Sequence, residues 1–253
     1  MNAFRFISKS LGILAFLIIA HGLAQADTVP ATVSYVKGDA YFVNASGQSQ
    51  KITENMQVPP GTTITTGANG TVGLRLVPGT TTVVGPNTSM KVDSLDYSQA
   101  PSGEKKRKIL LDLTKGTVYS SLIKHDGESD FRISTPEGVA AARGTDWSVT
   151  VSGSTVSVSV VDGTVVIDLP NGHTIDIPAG KVGVSTTGTG ANLTYVITGL
   201  TDAEKNKIIQ AIIAAGFNLS GQNGPGGLNF TNQGPGVTNP ANISVNPTVS
   251  PTY

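Results

Sequence analysis

Few residues in this 253-residue sequence have side chains suited to covalent, metal or acid–base chemistry. His125 and His173 are the histidines beyond the first 26 residues, and neither has the spacing of a metal site or of a base beside a nucleophile. There is no cysteine, which removes thiolate ligands, a cysteine nucleophile, disulfides and a cysteine-linked lipid anchor. Asp39, Asp93, Asp112, Asp162, Asp168 and Asp176 fall singly among glycines and strand-like runs, as turn formers and strand-edge charges do. No catalytic residue, metal ligand or cofactor is implied by these patterns, and the chain reads as a protein that is not an enzyme. One oxygen-rich run, His125-Asp126-Gly127-Glu128-Ser129-Asp130, alternates acids as a calcium loop would, without the length or terminal glutamate of an EF-hand. It reads as a polar hairpin turn, with calcium the alternative.

The most informative stretch is 133–149, Ile-Ser-Thr-Pro-Glu-Gly-Val-Ala-Ala-Ala-Arg-Gly-Thr-Asp-Trp-Ser-Val. Arg143 offers several fixed donors and Asp146 a matching acceptor, so the two are the candidate binding residues, with an anion or partner contact centred on Arg143. The competing reading is structural. Arg143 satisfies loop carbonyls or pairs with Asp146, Gly144 permits a turn, and Trp147 anchors a core. On that reading, replacing Arg143 lowers stability.

The elements that position this stretch are strands. From residue 31 to about 185, short Val/Thr/Ile/Tyr runs alternate with glycine, and two of them, 147–151 and 155–160, place apolar residues at every second position around Gly153-Ser154. A strand–glycine–strand pattern recurs at 36–41, 113–119 and 160–166 without a fixed period. The fold class expected is all-β, an irregular β-solenoid or twisted β-sandwich of many short strands. One helix interrupts it near the end, over 201–215, where Thr201 and Glu204 have capping-box spacing and Gly216 can terminate it. Its stripe of Ile208, Ile209, Ile212 and Ile213 is expected to pack on the β-domain. The stretch 98–108, with Glu104, Lys105, Lys106, Arg107 and Lys108, reads as an exposed loop.

The termini suggest export. Arg5 and Lys9 precede an apolar run over 11–20, and Ala24-Gln25-Ala26 offers small residues ahead of Asp27, the outline of a cleaved signal peptide. Beyond Lys207 no residue is charged, and from Ser220 the chain is rich in Gly, Asn, Pro and Thr, the composition of a flexible tail. The expected organisation is a signal peptide at 1–26, an all-β domain at 27–190, a strand and amphipathic helix at 191–218, and a tail at 219–253. Seventeen basic residues balance seventeen acidic ones, so nothing draws the chain to nucleic acid or an anionic membrane.

The stretch 133–149 resembles the signature of the FecR family. In that family a strand enters a Thr-Pro turn, small residues come next, and Arg-Gly-Thr leads to an aromatic residue that opens the next strand. Here Thr135 and Pro136, the run from Gly138 to Ala142, the triplet Arg143, Gly144 and Thr145, and Trp147 hold those places. The valine-rich pair around Gly163, together with Gly61, Ile64-Thr65-Thr66-Gly67 and Gly73-Leu74-Arg75-Leu76 upstream, extends the resemblance over residues 31–185. It implies a periplasmic or envelope-facing all-β module. Family members of full regulator architecture add a cytoplasmic anti-sigma segment, a transmembrane helix and a domain that receives a signal from an outer-membrane transporter. The expectation here is a stand-alone module without those segments, so sigma-factor regulation is not carried over.

The function expected is that of a non-enzymatic exported module for protein binding or envelope signalling, periplasmic or secreted to the cell surface. Its partner would be an envelope or surface protein. No nucleic acid and no stable membrane anchor after signal cleavage are expected, and low charge permits self-association. The alternative is a structural cell-surface or extracellular-matrix protein joined to its surroundings by the tail.

Overall fold

The computed structural model describes residues 27–124, 127–185 and 193–220. The signal-peptide reading of 1–26, the first two residues of the calcium reading, His125 and Asp126, and the tail from 221 onward lie outside the described residues. In chain order the elements are β1 (Asp27–Thr28), β2 (Ala31–Lys37), β3 (Ala40–Val43), β4 (Ser49–Lys51), β5 (Gln57–Val58) and β6 (Thr62–Thr66). Then come β7 (Thr71–Val77), β8 (Thr80–Val84), β9 (Ser89–Gln99), β10 (Lys105–Leu122), β11 (Gly127–Thr135) and β12 (Gly138–Ala142). The chain continues through β13 (Asp146–Ser152), β14 (Thr155–Asp162), β15 (Thr164–Asp168), β16 (Thr174–Pro178), β17 (Lys181–Ser185), β18 (Tyr195–Gly199) and α1 (Asp202–Ala214).

Pairing sorts the strands into two sheets. Sheet A has the order β4-β3-β6-β9-β10-β11-β12-β15-β16, with β1 beside the far end of β9. Sheet B has the order β5-β2-β7-β8-β10-β13-β14-β17-β18. After β10 the chain lays hairpins alternately on the two sheets: β11-β12 in A, β13-β14 in B, β15-β16 in A and β17-β18 in B. All pairings are antiparallel except β10 with β11. The expected all-β class holds, and its form is a twisted sandwich.

One strand belongs to both sheets. Residues 105–115 of β10 pair with β9 in sheet A, and residues 116–122 pair with β8 and β13 in sheet B. Gly116 marks the change, with φ +90° and so little space that a Cβ there would lie 2.2 Å from Thr88 Oγ1. Only glycine meets both conditions without strain. The three strand–glycine–strand segments of the sequence have this meaning in common. Residues 36–41 carry the chain from β2 in sheet B to β3 in sheet A, residues 113–119 cross within β10, and residues 160–166 cross from β14 to β15.

Between the sheets lies one apolar core that includes Ile64, Leu74, Leu95, Ile109, Leu111, Phe131, Trp147, Val149 and Val158, all essentially inaccessible. Alternation supplies it. In β10, Arg107, Ile109, Leu111 and Leu113 turn inward while Lys106 and Lys108 turn out. A second, smaller apolar cluster sits on the outside of sheet B, where Ile208 and Ile212 of α1, with Phe217 and Leu219 after it, cover Val83 and Tyr119. The helix starts as its sequence dictates, with Thr201 and Glu204 forming a reciprocal capping box, and Gly216 lies just past its end at φ +77°. Such a cap contributes about 1 kcal/mol, and the covered isoleucine face decides where the helix lies.

The basic stretch 98–108 departs from the expected loop. Strand β9 runs to Gln99 and β10 begins at Lys105, leaving a short turn between them. Arg107, taken from its neighbours for a solvated charge, is 2 % exposed. Its guanidinium donates to Ser129 Oγ (2.7 Å), Ile123 O (2.7 Å), Thr80 Oγ1 (3.2 Å) and Gly79 O (3.4 Å), which ties the start of β10 in sheet A to the far end of the same strand in sheet B. Burial pushes the guanidinium pKa down to about 10, with Tyr97 opposing. The strand phase explains the difference: a charged residue on the inward phase is masked when its outward neighbours are also charged.

Gly116→Ala should lower unfolding stability by about 3 kcal/mol, because it adds a strained positive φ and a collision with Thr88. Urea denaturation measures it. A change under about 0.5 kcal/mol would mean that β10 can cross between the sheets without this geometry.

Candidate functional site

The motif stretch forms a corner where β12, β13 and β15 meet. Thr135 Oγ1 donates to Gly138 O at 2.7 Å and closes the turn that contains Pro136. Residues 143–145 then carry the chain from β12 in sheet A to β13 in sheet B. Thr145 is fully buried and its carbonyl accepts from Leu122 N at 2.9 Å, which docks the corner on the end of β10. Gly163 lies beneath it. A Cβ on Gly163, where φ is +81°, would come within 2.5 Å of Thr145 Cγ2 and 2.6 Å of Gly144 O. This contact is why the triplet and the downstream glycine occur together: two crossings between the sheets are stacked on each other. Trp147, also inaccessible, enters the core and meets the edge of Phe131, with ring centroids 5.6 Å apart.

The two candidate binding residues separate here. Arg143 is exposed, and no hydrogen bond or ion pair joins it to a described residue. The pairing of Arg143 with Asp146 that the spacing allows does not form. Asp146, at the start of β13 on the outer face of sheet B, is 3 % exposed, and accepts from the backbone N–H of Ser220 at 2.9 Å and its hydroxyl at 2.9 Å. The same hydroxyl lies 3.3 Å from Asp162 Oδ2. Burial pushes the Asp146 carboxyl up, with Asp162 adding to the rise, while the nearby Ser121 hydroxyl and the hydrogen bonds from Ser220 pull it down. Asp146 therefore anchors the segment that follows α1. Leu219 and Ser220, which composition assigns to the tail, are the last described residues and both are held: Leu219 packs in the outer apolar cluster and Ser220 on Asp146. Composition hid this, because one backbone N–H bonded to a residue 74 positions away leaves no local signal.

The polar run 127–130 is part of β11. Glu128 lies opposite Lys106, 3.7 Å from its Nζ, Asp130 accepts from Arg132 at 2.7 Å, and Ser129 faces inward to Arg107. The described acids of the calcium reading thus alternate along a strand, each beside a cation.

One edge differs from the others. At the outer edge of sheet B, β18 pairs with β17 on one side and with no described strand on the other, and its Val196 and Ile197 are 54 % and 42 % exposed. The opposite edge of that sheet is the two-residue β5, and sheet A ends in the polar β4 and in β16, which closes on Pro178. Those three show the usual ways of blunting an edge. Strand β18 reads Tyr-Val-Ile-Thr-Gly, with neither charge nor proline.

The corner generates two expected outcomes. Arg143→Ala should change unfolding stability by less than about 0.5 kcal/mol, as for an exposed side chain without partners; a loss of several °C in Tm would restore the structural role. Asp146 has a raised folded pKa, so its contribution is present below the unfolded value near 3.8 and lost as pH rises through the folded one. Relative to Asp146→Asn, the wild-type chain should gain stability between pH 7 and about pH 3.5, measured by paired urea melts. A gap that stays constant or moves the other way would remove the buried carboxylate from the anchor.

Comparison with known proteins gives the architecture a family. Residues 62–166, from the start of β6 into β15, match the family model described as FecR protein. No curated protein matches the sequence. Two crystal structures of a protein from Parabacteroides distasonis, described provisionally as an anti-sigma factor, are similar to it at 15 % identity, with TM-scores of 0.45 and 0.44. In each case the similarity covers 58 % of this chain and 64 % of that one, so the chain spans less than two thirds of their length. Residues 62–166 are thus the FecR-family segment of this chain, reaching from β6 to just past Gly163.

Proposed function

We propose that this chain is an exported, non-enzymatic binding module of the cell envelope that takes an extended segment of a partner protein on the free edge of β18. The edge carries the reading. Every second N–H and C=O of an outer strand points away from its sheet, and a β-branched, uncharged strand offers both the hydrogen bonds and the side-chain contacts that strand addition uses. The alternation of Val196 and Ile197 to opposite faces calls for a partner segment with apolar residues on both sides. The FecR domain supports an envelope role, and the signal-peptide pattern of 1–26 supports export. Arg143, exposed at the corner, is the second contact of this reading.

A photo-crosslinking residue at Val196, in the protein expressed in its native envelope, tests the proposal. The expected product is a discrete adduct with one envelope protein, lost when Ile197→Lys is added and weakened by Arg143→Glu. Adducts with polysaccharide or peptidoglycan only would favour the structural surface role. Adducts with a second copy only would replace the partner by self-association.

A further inference from the structure

The outer face of sheet B carries a row of polar side chains that neither the corner nor the β18 edge uses. Thr32 on β2, Arg75 on β7, Thr81 on β8 and Ser121 on β10 are successive cross-strand partners, so they share one face. The next position in the row is Asp146. Helix α1 covers the neighbouring row at Val83 and Tyr119 but stops short of this one. What remains is a cleft of about 610 Å³, within the range of small-molecule sites. Its floor is the hydroxyl and guanidinium row, and its walls are apolar: Val29 and Pro30 before β2, Val77 and Pro78 at the end of β7, Ile123 after β10, and Phe217 after α1.

Its charge is one-sided. Among the described residues that line it, Arg75 is the one cation and none is acidic. Arg75 is exposed and has no ion pair with a described residue. Behind the wall, Arg107 donates to Gly79 O and Thr80 Oγ1, both in the lining, and its bonded partners are all neutral oxygens, so its positive field is not cancelled by a carboxylate. Ser121 adds an unmet donor. Its hydroxyl is close enough to Asp146 to influence that carboxyl, yet it is buried outside hydrogen-bonding geometry with any described residue. Asp146 itself is sealed under Ser220 and stands three strands from Arg75, about 14 Å at ordinary strand spacing, so it does not oppose an anion at the Arg75 end.

We propose that this cleft binds a small amphiphile bearing one carboxylate, with its head on Arg75 between the Thr32 and Thr81 hydroxyls and its apolar body along Val77, Pro78 and Phe217. The hydroxyls and guanidinium supply donors on both sides of the head, which suits a carboxylate and not a cation or a neutral group. The apolar walls require a body that water expels. Because Phe217 and Asn218 form one wall just before the Ser220 anchor, the ligand touches the segment between α1 and that anchor. The site is independent of the β18 edge.

Isothermal titration calorimetry of the full chain with decanoate, below its micelle concentration, tests the site against decanol and acetate. Decanoate should bind, with decanol and acetate each at least about tenfold weaker, since one charge-assisted contact is worth that factor. Arg75→Ala should weaken decanoate about tenfold and leave decanol unchanged. Its unliganded melt should match the wild type, because Arg75 is exposed and forms no ion pair with a described residue. Thr81→Val, which keeps the charge, should weaken decanoate by a smaller factor. Equal affinity for decanoate and decanol, indifference to Arg75→Ala, or no binding of decanoate would each overturn the proposal.

Discussion

The structure depends on one strand serving two sheets. A sandwich held together by side-chain packing alone could slide, because apolar contact is non-directional. Here β10 enters the first sheet, bends at Gly116 and continues as a central strand of the second, so backbone hydrogen bonds fix both layers to the same eighteen residues. Arg107 then bridges the two ends of this strand at the opposite side of the sandwich from the bend. A buried guanidinium is costly unless its donors are met, and four oxygen acceptors meet them here. Register in one sheet is thereby linked to register in the other.

The family motif is a consequence of this arrangement. Once hairpins alternate between two sheets, the chain must cross the open side of the sandwich repeatedly, and successive crossings must stack. Gly144 and Thr145 form one crossing and Gly163 the next, with room between them for no further atom. Buried Thr145 and Trp147 then place the corner on β10 and in the core. Most of the motif is therefore structural. Arg143 is the exception, because its side chain leaves the corner for solvent and contributes to no described contact.

The same corner also holds the segment that follows the outer helix. Asp146 is oriented by β13 and receives Ser220 across 74 residues of sequence, so the outer helix and the segment after it are tied to the motif through one carboxylate. The polar row that continues from Asp146 through Ser121 and Thr81 to Arg75 joins this anchor to the cleft on the outer face of the second sheet. The motif corner, the Ser220 anchor and the cleft thus share one line of cross-strand neighbours, while β18 lies at the far edge.

What the sequence determined by itself was local. Alternation in 147–151 and 155–160, the glycine between paired strands, and the Thr201–Glu204 capping box depend on spacings of a few residues, and each appears in the structure as its pattern requires. The resemblance carried by Thr135, Pro136, Gly144, Thr145 and Trp147 was legible for the same reason. Tertiary structure decided the rest. The crossing role of Gly38, Gly116 and Gly163 could be seen only once two sheets existed to be crossed. The inward turn of Arg107 was hidden because charge masked its strand phase, and the bond from Ser220 to Asp146 because partners far apart in sequence leave no periodic trace. The division of Arg143 from Asp146 had the same origin: strand phase sends one side chain to solvent and the other beneath Ser220, a choice made by which sheet the next strand joins.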